Sequence, residues 1–431
     1  MREMKDSGIE WVGDIPQDWQ LSKIGSLYTQ RNEKVSDKNY QPLSVTMQGI
    51  LPQLATAAKT DDGDNRKLVR VGDFAINSRS DRRGSCGISP LDGSVSLINI
   101  ILTPRTAMHP GYYNWLFHTT LFADEFYKWG HGIVADLWTT RWQEMKSITV
   151  PVPEYAEQER IAAFLDAECA EIDTVLEKTR ASIEEYKKLK QAVITQVVTK
   201  GIRGDRPMKN SGIEWIGDIP AEWKVASIGR FCFVTKLAGF EFTNDMMSNI
   251  QDSGDIPIVR AQNIKMGKFI NNISEFIPYR ISQKLERCAL NRKCLIITFI
   301  GAGIGEVAIF NEPKRYHLAP NVAKIVINVG MEHFVTEEYL LYFLMSFAGQ
   351  EEINKIKKAT AQPSLSMGTI RSIKMVLPDS IEEQSEIVSY LDMRCASIDA
   401  LIAKKHQYLI EIENYKKSLI YEYVTGKKEV V

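Results

Sequence analysis

Residues 7–16 read SGIEWVGDIP and residues 211–220 read SGIEWIGDIP, so one ten-residue segment occurs twice, and a tryptophan follows three residues after each copy. A second match begins at Glu157 and Glu383, where EQERIAAFLD corresponds to EQSEIVSYLD. Short segment, variable region and long helical segment therefore occur twice in the same order. Self-similarity on this scale predicts two structurally related halves.

The chain has 431 residues, which is too long for one ordinary hydrophobic core. The linker that follows the first helical segment, KGIRGDRP at 200–207, contains the Gly and Pro that stop a helix. The repeat predicts four segments, namely 1–152 (first repeated segment plus a globular region), 153–208 (long helix and linker), 209–377 (second repeated segment plus a globular region) and 378–431 (second long helix).

Several classes of protein are disfavoured by simple patterns. No apolar run is long enough for a membrane span, and the N-terminal MREMKDSGIEW lacks the apolar core of a signal peptide. The six cysteines contain no CxxC pair, and Cys288 and Cys294 have no nearby His or Cys partner for zinc. We therefore expect a cytoplasmic protein with reduced thiols and without a metal site.

Two long amphipathic helices are predicted from apolar spacing. No Pro or Gly occurs between Glu157 and Thr199, and apolar residues recur at steps of three, four and seven. Each helix would be about 65 Å long, so a coiled-coil pair is expected. An internal repeat related by a pseudo-two-fold axis would make the pair antiparallel, although packing of each helix on its own globular region stays open. The residues predicted for helix packing or partner docking are Ile161, Leu165, Ile172, Leu176, Ile183, Ile387, Leu391, Ile398, Ile402 and Leu409.

The variable regions have the pattern of one α/β (α+β) fold used twice, with small sheets and helices. The order of elements agrees between the halves even where the residues differ. Predicted strands are Asp73–Asn77, Gly87–Ser89, Leu97–Leu102, Ile256–Arg260, Cys294–Phe299, Val307–Phe310 and Ala323–Ile327, and predicted helices are Tyr112–Phe122 and Tyr339–Ser346.

Charge separates the globular regions from the helices. Residues 20–150 carry a net charge of about +3 and residues 224–375 about +6, whereas 154–199 carry about −4 and 376–431 about −3. Basic surfaces suit the phosphate backbone of nucleic acid, and acidic helices suit a protein partner or solvent. The globular regions are therefore the predicted nucleic-acid contacts.

The duplicated SGIEW-x-GDIP-x-x-W segments, the EQ-x-x-I-x-x-x-LD helix starts and the closing VVTKG and YVTGK resemble the specificity subunit of Type I restriction-modification systems. The resemblance covers essentially the whole chain in the family's order. It implies two target-recognition domains that each read half of a bipartite site in double-stranded DNA. The two conserved helices would hold these domains apart, in an internal pseudo-two-fold arrangement, and set the unread spacer.

The resemblance also implies partners. Two modification subunits, which are adenine methyltransferases, would bind one such chain, and restriction subunits would be added for cleavage. The chain itself would be non-catalytic and would need no cofactor. Gln362–Ser366 and Gly303–Val307 match recurrent target-domain elements, whereas Leu137–Arg141 and Gly84–Gly87 depart from them, so the two half-sites should differ.

Candidate DNA contacts are polar and basic residues near strand ends. Phosphate is bound by Lys, Arg and small polar groups, and base edges by Arg, Lys, Asn or Gln. Trp138 is either an aromatic contact or a buried anchor. For the polar and basic candidates, an ordinary solvated loop remains the alternative. The candidates are Arg79, Arg82, Arg83, Thr139, Thr140 and Arg141 in the first region, and Arg260, Gln262, Asn263, Lys265, Lys314, Arg315, Gln362 and Ser364 in the second.

The sequence lacks the motifs of the enzyme classes that it could otherwise resemble. Gly301–Gly305 resembles a nucleotide loop, but Glu306 replaces the last glycine and a strand follows, which favours a hairpin. There is no Walker loop, no Asn/Asp-Pro-Pro-aromatic motif of an adenine methyltransferase and no carboxylate pair beside Glu185 and Lys187 for a nuclease magnesium site. A coiled-coil adaptor, or a stand-alone DNA-binding protein without a restriction partner, remains the alternative to a specificity subunit.

Overall fold

The structure is a computed structural model that describes residues 2–53, 63–132, 138–357 and 364–430. It divides into two compact units, of which unit 1 comprises Met1–Arg180 with Lys405–Val431 and unit 2 comprises Ala181–Lys404. No helix among the described residues is long and apolar enough to cross a membrane.

The helices include two that are far longer than the others, α5 and α11, and each contributes residues to both units. The helices are α1 (Ile24–Leu27), α2 (Pro110–Phe117), α3 (Thr120–Lys128), α4 (Trp142–Met145), α5 (Tyr155–Lys200), α6 (Gly239–Glu241), α7 (Tyr279–Lys284), α8 (Glu337–Met345), α9 (Phe347–Lys357), α10 (Met367–Ser372) and α11 (Ile381–Val424).

The strands are short. Those of unit 1 are β1 (Met4–Asp6), β2 (Asp14–Pro16), β3 (Gln20–Lys23), β4 (Tyr28–Arg31), β5 (Lys34–Val35), β6 (Leu43–Thr46), β7 (Gly49–Pro52), β8 (Arg66–Val69), β9 (Phe74–Asn77), β10 (Cys86–Ile88), β11 (Gly93–Val95), β12 (Asn99–Pro104) and β13 (Thr149–Val152). Those of unit 2 are β14 (Met208–Asn210), β15 (Asp218–Pro220), β16 (Lys224–Ser227), β17 (Cys232–Lys236), β18 (Ile256–Val259), β19 (Ile264–Lys265), β20 (Lys268–Phe269), β21 (Phe276–Ile277), β22 (Ala289–Leu290), β23 (Cys294–Thr298), β24 (Val307–Phe310), β25 (Tyr316–Leu318), β26 (Val322–Ile327) and β27 (Lys374–Leu377).

Each unit is built on a four-stranded antiparallel sheet of the same topology. The strand order is β10-β9-β12-β4 in unit 1 and β24-β23-β26-β17 in unit 2, so each strand has a counterpart in the same position. Both units also pair the strand after the repeated segment with the strand before the long helix, as β3-β13 and β16-β27. The predicted repetition of one α+β fold is confirmed.

These central sheets are covered on both faces, which explains their nearly continuous apolar sequences. In unit 1, Phe74 and Ile76 pack in the cluster that contains α2 and α3, while Ala75 faces the smaller cluster of β6, β7 and β11. In unit 2, Leu295 and Ile297 pack with α8, and Ile296 faces the opposite cluster. Alternation along a strand therefore joins two hydrophobic layers in each unit.

The long helices run antiparallel within each unit. In unit 1, Asp173 pairs with Lys416 at 2.6 Å and Arg180 pairs with Glu413 at 2.7 Å, so the residue number rises in α5 as it falls in α11. In unit 2, Lys190 pairs with Asp399, and Arg203, just after α5, pairs with Glu386, both at 2.7 Å and in the same antiparallel sense. Eight of the ten predicted packing residues are buried, and Ile402 and Leu409 are half-buried. The predicted antiparallel pairing is confirmed.

A tryptophan from each repeated segment is fixed to the start of the following long helix. The Trp19 indole N–H donates to the Glu157 carboxylate at 2.9 Å, and Arg2 forms an ion pair with the same carboxylate. The Arg2 guanidinium also lies 5.7 Å from the centre of the Trp19 ring. Because Glu157 is at the first turn of α5, this cluster ties the N-terminal segment to the helix.

The same cluster occurs in unit 2. The Trp223 indole N–H donates to Glu383 at 3.1 Å, Arg206 pairs with that carboxylate at 2.7 Å, and the guanidinium lies 5.7 Å from the ring centre. Trp19 and Trp223 are both almost completely buried. We call each set of three residues the Trp–Glu–Arg cluster of its unit. The three residues of one cluster match those of the other across the repeat, so each cluster has the same role in the fold of its unit.

Part of the sequence interpretation was wrong in detail. The helix predicted over Tyr112–Phe122 is two helices, α2 and α3, because the chain leaves the helical conformation at Thr119. The Thr119 hydroxyl accepts the Phe122 N–H at 3.2 Å and caps the second helix. The strand predicted over Leu97–Leu102 begins two residues later, at Asn99.

We expect Leu391→Ala to lower the free energy of unfolding by about 3 kcal/mol, because this completely buried side chain would leave a cavity where α11 packs in unit 2. Leu401→Ala, on the exposed face of the same helix, should cost less than about 1 kcal/mol. Urea denaturation followed by circular dichroism measures both. Equal losses for the two variants would contradict the packing described here.

Candidate nucleic-acid interface

The loop 78–85 joins β9 to β10 and carries three of the predicted DNA contacts. Its base is closed by the Asn77 N–H, which donates to the Ser85 carbonyl at 2.9 Å. A short 3-10 turn over Ser80–Arg82 follows, and Gly84 takes a φ of +75°, which only glycine adopts without strain. We call residues 78–85 the arginine loop.

A second predicted segment, 138–140, lies beside the arginine loop. Arg79 and Thr139 form an antiparallel bridge, the Ser80 N–H donates to the Trp138 carbonyl at 2.9 Å, and the Thr140 N–H donates to the Ser78 carbonyl at 2.9 Å. The structure thus brings two candidate segments, separated by about 60 residues of sequence, into one surface. Trp138, whose side chain is 39% exposed, adds an aromatic group to it.

The arginines of this loop are held by weak ion pairs. Arg79 and Arg82 lie 3.3 Å and 3.8 Å from Asp81, and Arg83 pairs with Asp124. Arg82 remains 68% exposed. Exposed ion pairs of this kind contribute little stability, so a phosphate or a base edge can take over the guanidinium groups at small cost.

Thr140 differs from its neighbours. Its side chain is completely buried, and its hydroxyl donates to the Phe126 carbonyl at 2.9 Å. Thr139 is half-buried and Arg141 is exposed. Thr140 therefore supports the surface from inside, and its side chain is not available to a ligand in this conformation.

In unit 2, the segment that follows β18 makes a short turn. Asn263 is buried, its side-chain oxygen accepts the Arg260 N–H at 2.9 Å, and its amide donates to the Ile270 and Asn272 carbonyls. Arg260 itself pairs with Glu275. Asn263 is thus a structural residue, which the sequence pattern did not reveal because Arg, Gln and Asn near a strand end also suit base recognition.

Around this turn, Gln262 and Lys265 are exposed, and Lys265 lies 3.5 Å from Glu306. Lys314 is also exposed. Arg315 is anchored by Glu286 and by the Ser282 hydroxyl at 2.9 Å, and this arginine lowers the pKa of Glu286. Because β18 and β25 are parallel, Lys314 and Arg315 lie at the opposite end of this strand pair from Gln262 and Lys265. Unit 2 therefore carries two separate groups of polar and cationic side chains, each of which can bind phosphate.

Ser364 is half-buried and bridges Ile300 at the edge of the loop that joins β23 to β24. That loop, 299–306, contains the glycines that the sequence assigned to a hairpin, and the antiparallel pairing of the two strands bears this out. Gln362 lies outside the residues that the structure describes.

His317 lies completely buried directly after the basic turn at 314–315. Its Nδ1 is 3.0 Å from the Leu318 carbonyl and its Nε2 is 3.3 Å from the Leu285 carbonyl. Burial outweighs these contacts and lowers the pKa of His317 to about 4. In the described residues, no group of His, Cys, Asp and Glu could hold a metal ion, and the six cysteines are free and buried.

Comparison with known proteins links this geometry to a family. Residues 220–414 match the Type I restriction modification DNA specificity domain. The chain is 25% identical to the MjaVIII specificity subunit of Methanocaldococcus jannaschii over 66% of its own length and 63% of the relative. It is 21% identical to the EcoKI specificity subunit of Escherichia coli K12, over 96% of its length and 90% of the relative. The match thus spans less than two thirds of the MjaVIII subunit.

Solved structures show the same fold. A chain of a type I R-M system, studied for its complex assembly and conformational transition, aligns with a TM-score of 0.73 at 14% identity, covering 96% of this chain and 99% of that one. The HsdS subunit from Thermoanaerobacter tengcongensis aligns with a TM-score of 0.52 at 16% identity, covering 96% and 98%.

The stability of unit 2 should fall as the pH is lowered from about 6.5 to about 4. The pKa of His317 is lower in the folded than in the unfolded protein. Neutral His317 therefore contributes its full share to the free energy of unfolding above the unfolded-state pKa. That share is lost as the pH falls to the folded-state pKa, and the loss is roughly 3 kcal/mol at most. His317→Gln should flatten this part of the pH profile in urea denaturation. The exposed His333→Gln should leave the slope unchanged, and an equally steep profile in the His317 variant would contradict the assignment.

Proposed function

We propose that this chain, which belongs to the type I restriction-modification specificity subunits, recognises a bipartite DNA site. One half-site would be read by each globular lobe, of which the first comprises residues 20–150 and the second residues 224–375. The observation that carries the proposal is the repetition of one sheet topology in two units whose loops differ in sequence. Two lobes of one fold with different loops suit two half-sites of different sequence.

The exposed cationic and polar side chains are the proposed DNA contacts. In the first lobe these are the exposed Arg82, Arg83 and Arg141, with the half-buried Arg79 and Thr139 at the bridge. In the second lobe they are the exposed Gln262, Lys265 and Lys314 and the partly buried Arg260, Arg315 and Ser364. Thr140 and Asn263 support these contacts from inside. Gln362 stays a prediction from sequence alone.

The long helices have two proposed roles. Because α5 and α11 each contribute residues to both units, their lengths would set the unread spacer between the half-sites. Their acidic surfaces occur once in each half of the chain, and the buried Trp–Glu–Arg clusters fix both helix starts in the same way, which suits two copies of an adenine-methyltransferase subunit. Catalysis would belong to these subunits, and to restriction subunits where present, acting on DNA in the cytoplasm.

We expect that replacing residues 20–150 by the first lobe of another specificity subunit changes one half of the selected DNA site and leaves the other half intact. The purified chain, alone and with its modification subunit, would be mixed with random DNA, and bound molecules would be sequenced. Replacing residues 224–375 is the matched control and should change the opposite half. Changes in both halves from one replacement would contradict modular recognition, and absence of any selected DNA would favour a coiled-coil adaptor.

Inserting four residues into α5 after Arg180 and four into α11 after Lys404 should lengthen the spacer by about two base pairs. Four residues extend a helix by roughly 6 Å, and base pairs stack about 3.4 Å apart. Four residues inserted at Arg203–Asp205, in the exposed linker after α5, should leave the spacer unchanged. The same DNA selection measures both. If the variant with insertions in both α5 and α11 selected DNA with an unchanged spacer, the proposed role of helix length would be rejected.

A further inference from the structure

The loop 299–306 of unit 2 is the structural counterpart of the arginine loop of unit 1. Each joins an inner strand to the edge strand of the four-stranded sheet, β9 to β10 in one unit and β23 to β24 in the other. The base is closed in the same way, because the Thr298 N–H donates to the Glu306 carbonyl at 2.9 Å, as the Asn77 N–H does to the Ser85 carbonyl. Topology and hydrogen bonding therefore agree.

The neighbouring segment confirms the alignment residue by residue. Ile300 bridges Ser364 as Arg79 bridges Thr139. The Leu365 N–H donates to the Phe299 carbonyl at 2.8 Å, as the Thr140 N–H does to the Ser78 carbonyl at 2.9 Å. Ile300 therefore occupies the position that Arg79 has in unit 1, although the two loops share almost no sequence.

The chemistry of the two loops differs. The arginine loop carries three cationic side chains, whereas 299–306, FIGAGIGE, carries none. Its one carboxylate, that of Glu306, lies 3.5 Å from Lys265. Ile300 is 38% exposed, and Gly301 has a φ of +100° with open space where a side chain would stand. An apolar side chain next to bare backbone is thus presented where unit 1 presents arginine.

We propose that the loop 299–306 is a DNA-reading element of the second lobe and that Ile300 contacts the methyl group of a thymine. This inference rests on the proposed function. The major groove displays the thymine methyl as its apolar feature, and it displays guanine as a pair of acceptors that fit arginine. The glycines let the backbone approach the bases closely. Equivalent loops would therefore favour guanine or phosphate in the first half-site and thymine in the second.

Phosphate contacts for the second loop come from its surroundings. The Lys236 ammonium lies 4.0 Å from the centre of the Phe299 ring, at the base of the loop. Arg371 lies over Phe233 on the same strand as Lys236 and donates to the Val234 carbonyl at 3.0 Å. Lys236 therefore places a cation at the base of the apolar loop, and Arg371 adds a second cation along β17.

The test uses the full chain with its selected DNA. Each thymine of the second half-site is replaced by uracil, which removes only the methyl group. One replacement should weaken binding about fourfold, which corresponds to the burial of one methyl group. In Ile300→Ala that thymine and uracil should bind equally well. Val329→Ala, an exposed apolar residue beyond the other end of β26, is the matched control and should retain the discrimination.

A reciprocal exchange at the equivalent positions sharpens the test. Ile300→Arg should replace the thymine preference with a guanine preference and make binding more sensitive to salt, because a phosphate or guanine contact is gained. Arg79→Ile should do the opposite in the first half-site. Circular dichroism of both variants reports whether the fold is retained.

The outcomes separate this inference from the proposed function. Loss of thymine discrimination in Ile300→Ala, with changed base preference in Ile300→Arg, supports the assignment. Specific binding in which no thymine is sensitive to uracil, or in which both Ile300 variants keep the parent preference, overturns it while the specificity function stands. Failure of the parent chain to select any DNA, with or without its modification subunit, overturns the proposed function itself.

Discussion

Each unit depends on a carboxylate at the start of its long helix, which is half-buried for Glu157 and buried for Glu383. Glu157 and Glu383 each accept a tryptophan indole N–H and pair with an arginine from the strand region that precedes the repeated segment. A buried carboxylate without partners would be strongly unfavourable, so the indole and the guanidinium must stay in place. This requirement joins the repeated segment, the helix and the strand pairs β3-β13 and β16-β27 into one frame, on which the central sheet is built.

The frame explains how the two lobes can differ in sequence and keep one fold. The loops after β9 and β23 are closed by backbone hydrogen bonds and by a bridge to a neighbouring segment, and their side chains contribute little to that closure. Arginines in one loop and glycines with isoleucine in the other are therefore compatible with the same closure at the base of the loop. Recognition can vary at these positions because stability comes from elsewhere, chiefly from the sheet layers and the antiparallel helices.

Sequence periodicity predicted the long helices and most central strands, because these elements depend on local pattern and on apolar faces. The antiparallel direction of the helices followed from the internal repeat. Periodicity did not separate α2 from α3, since the interruption depends on one threonine cap. Residue type also placed Thr140 and Asn263 among the DNA contacts. Both side chains are buried, and their polar groups are used in hydrogen bonds to backbone carbonyls. The equivalence of Arg79 and Ile300 was beyond sequence reasoning, because it arises from bridges between residues about 60 positions apart.

Genome-wide mapping of methylated adenines, after co-expression of the chain with its modification subunit, would show whether two lobes of one fold read two different DNA half-sites. We expect one asymmetric bipartite motif, with two different half-sites and a spacer of constant length. A palindromic or undivided motif, or a spacer of variable length, would contradict it.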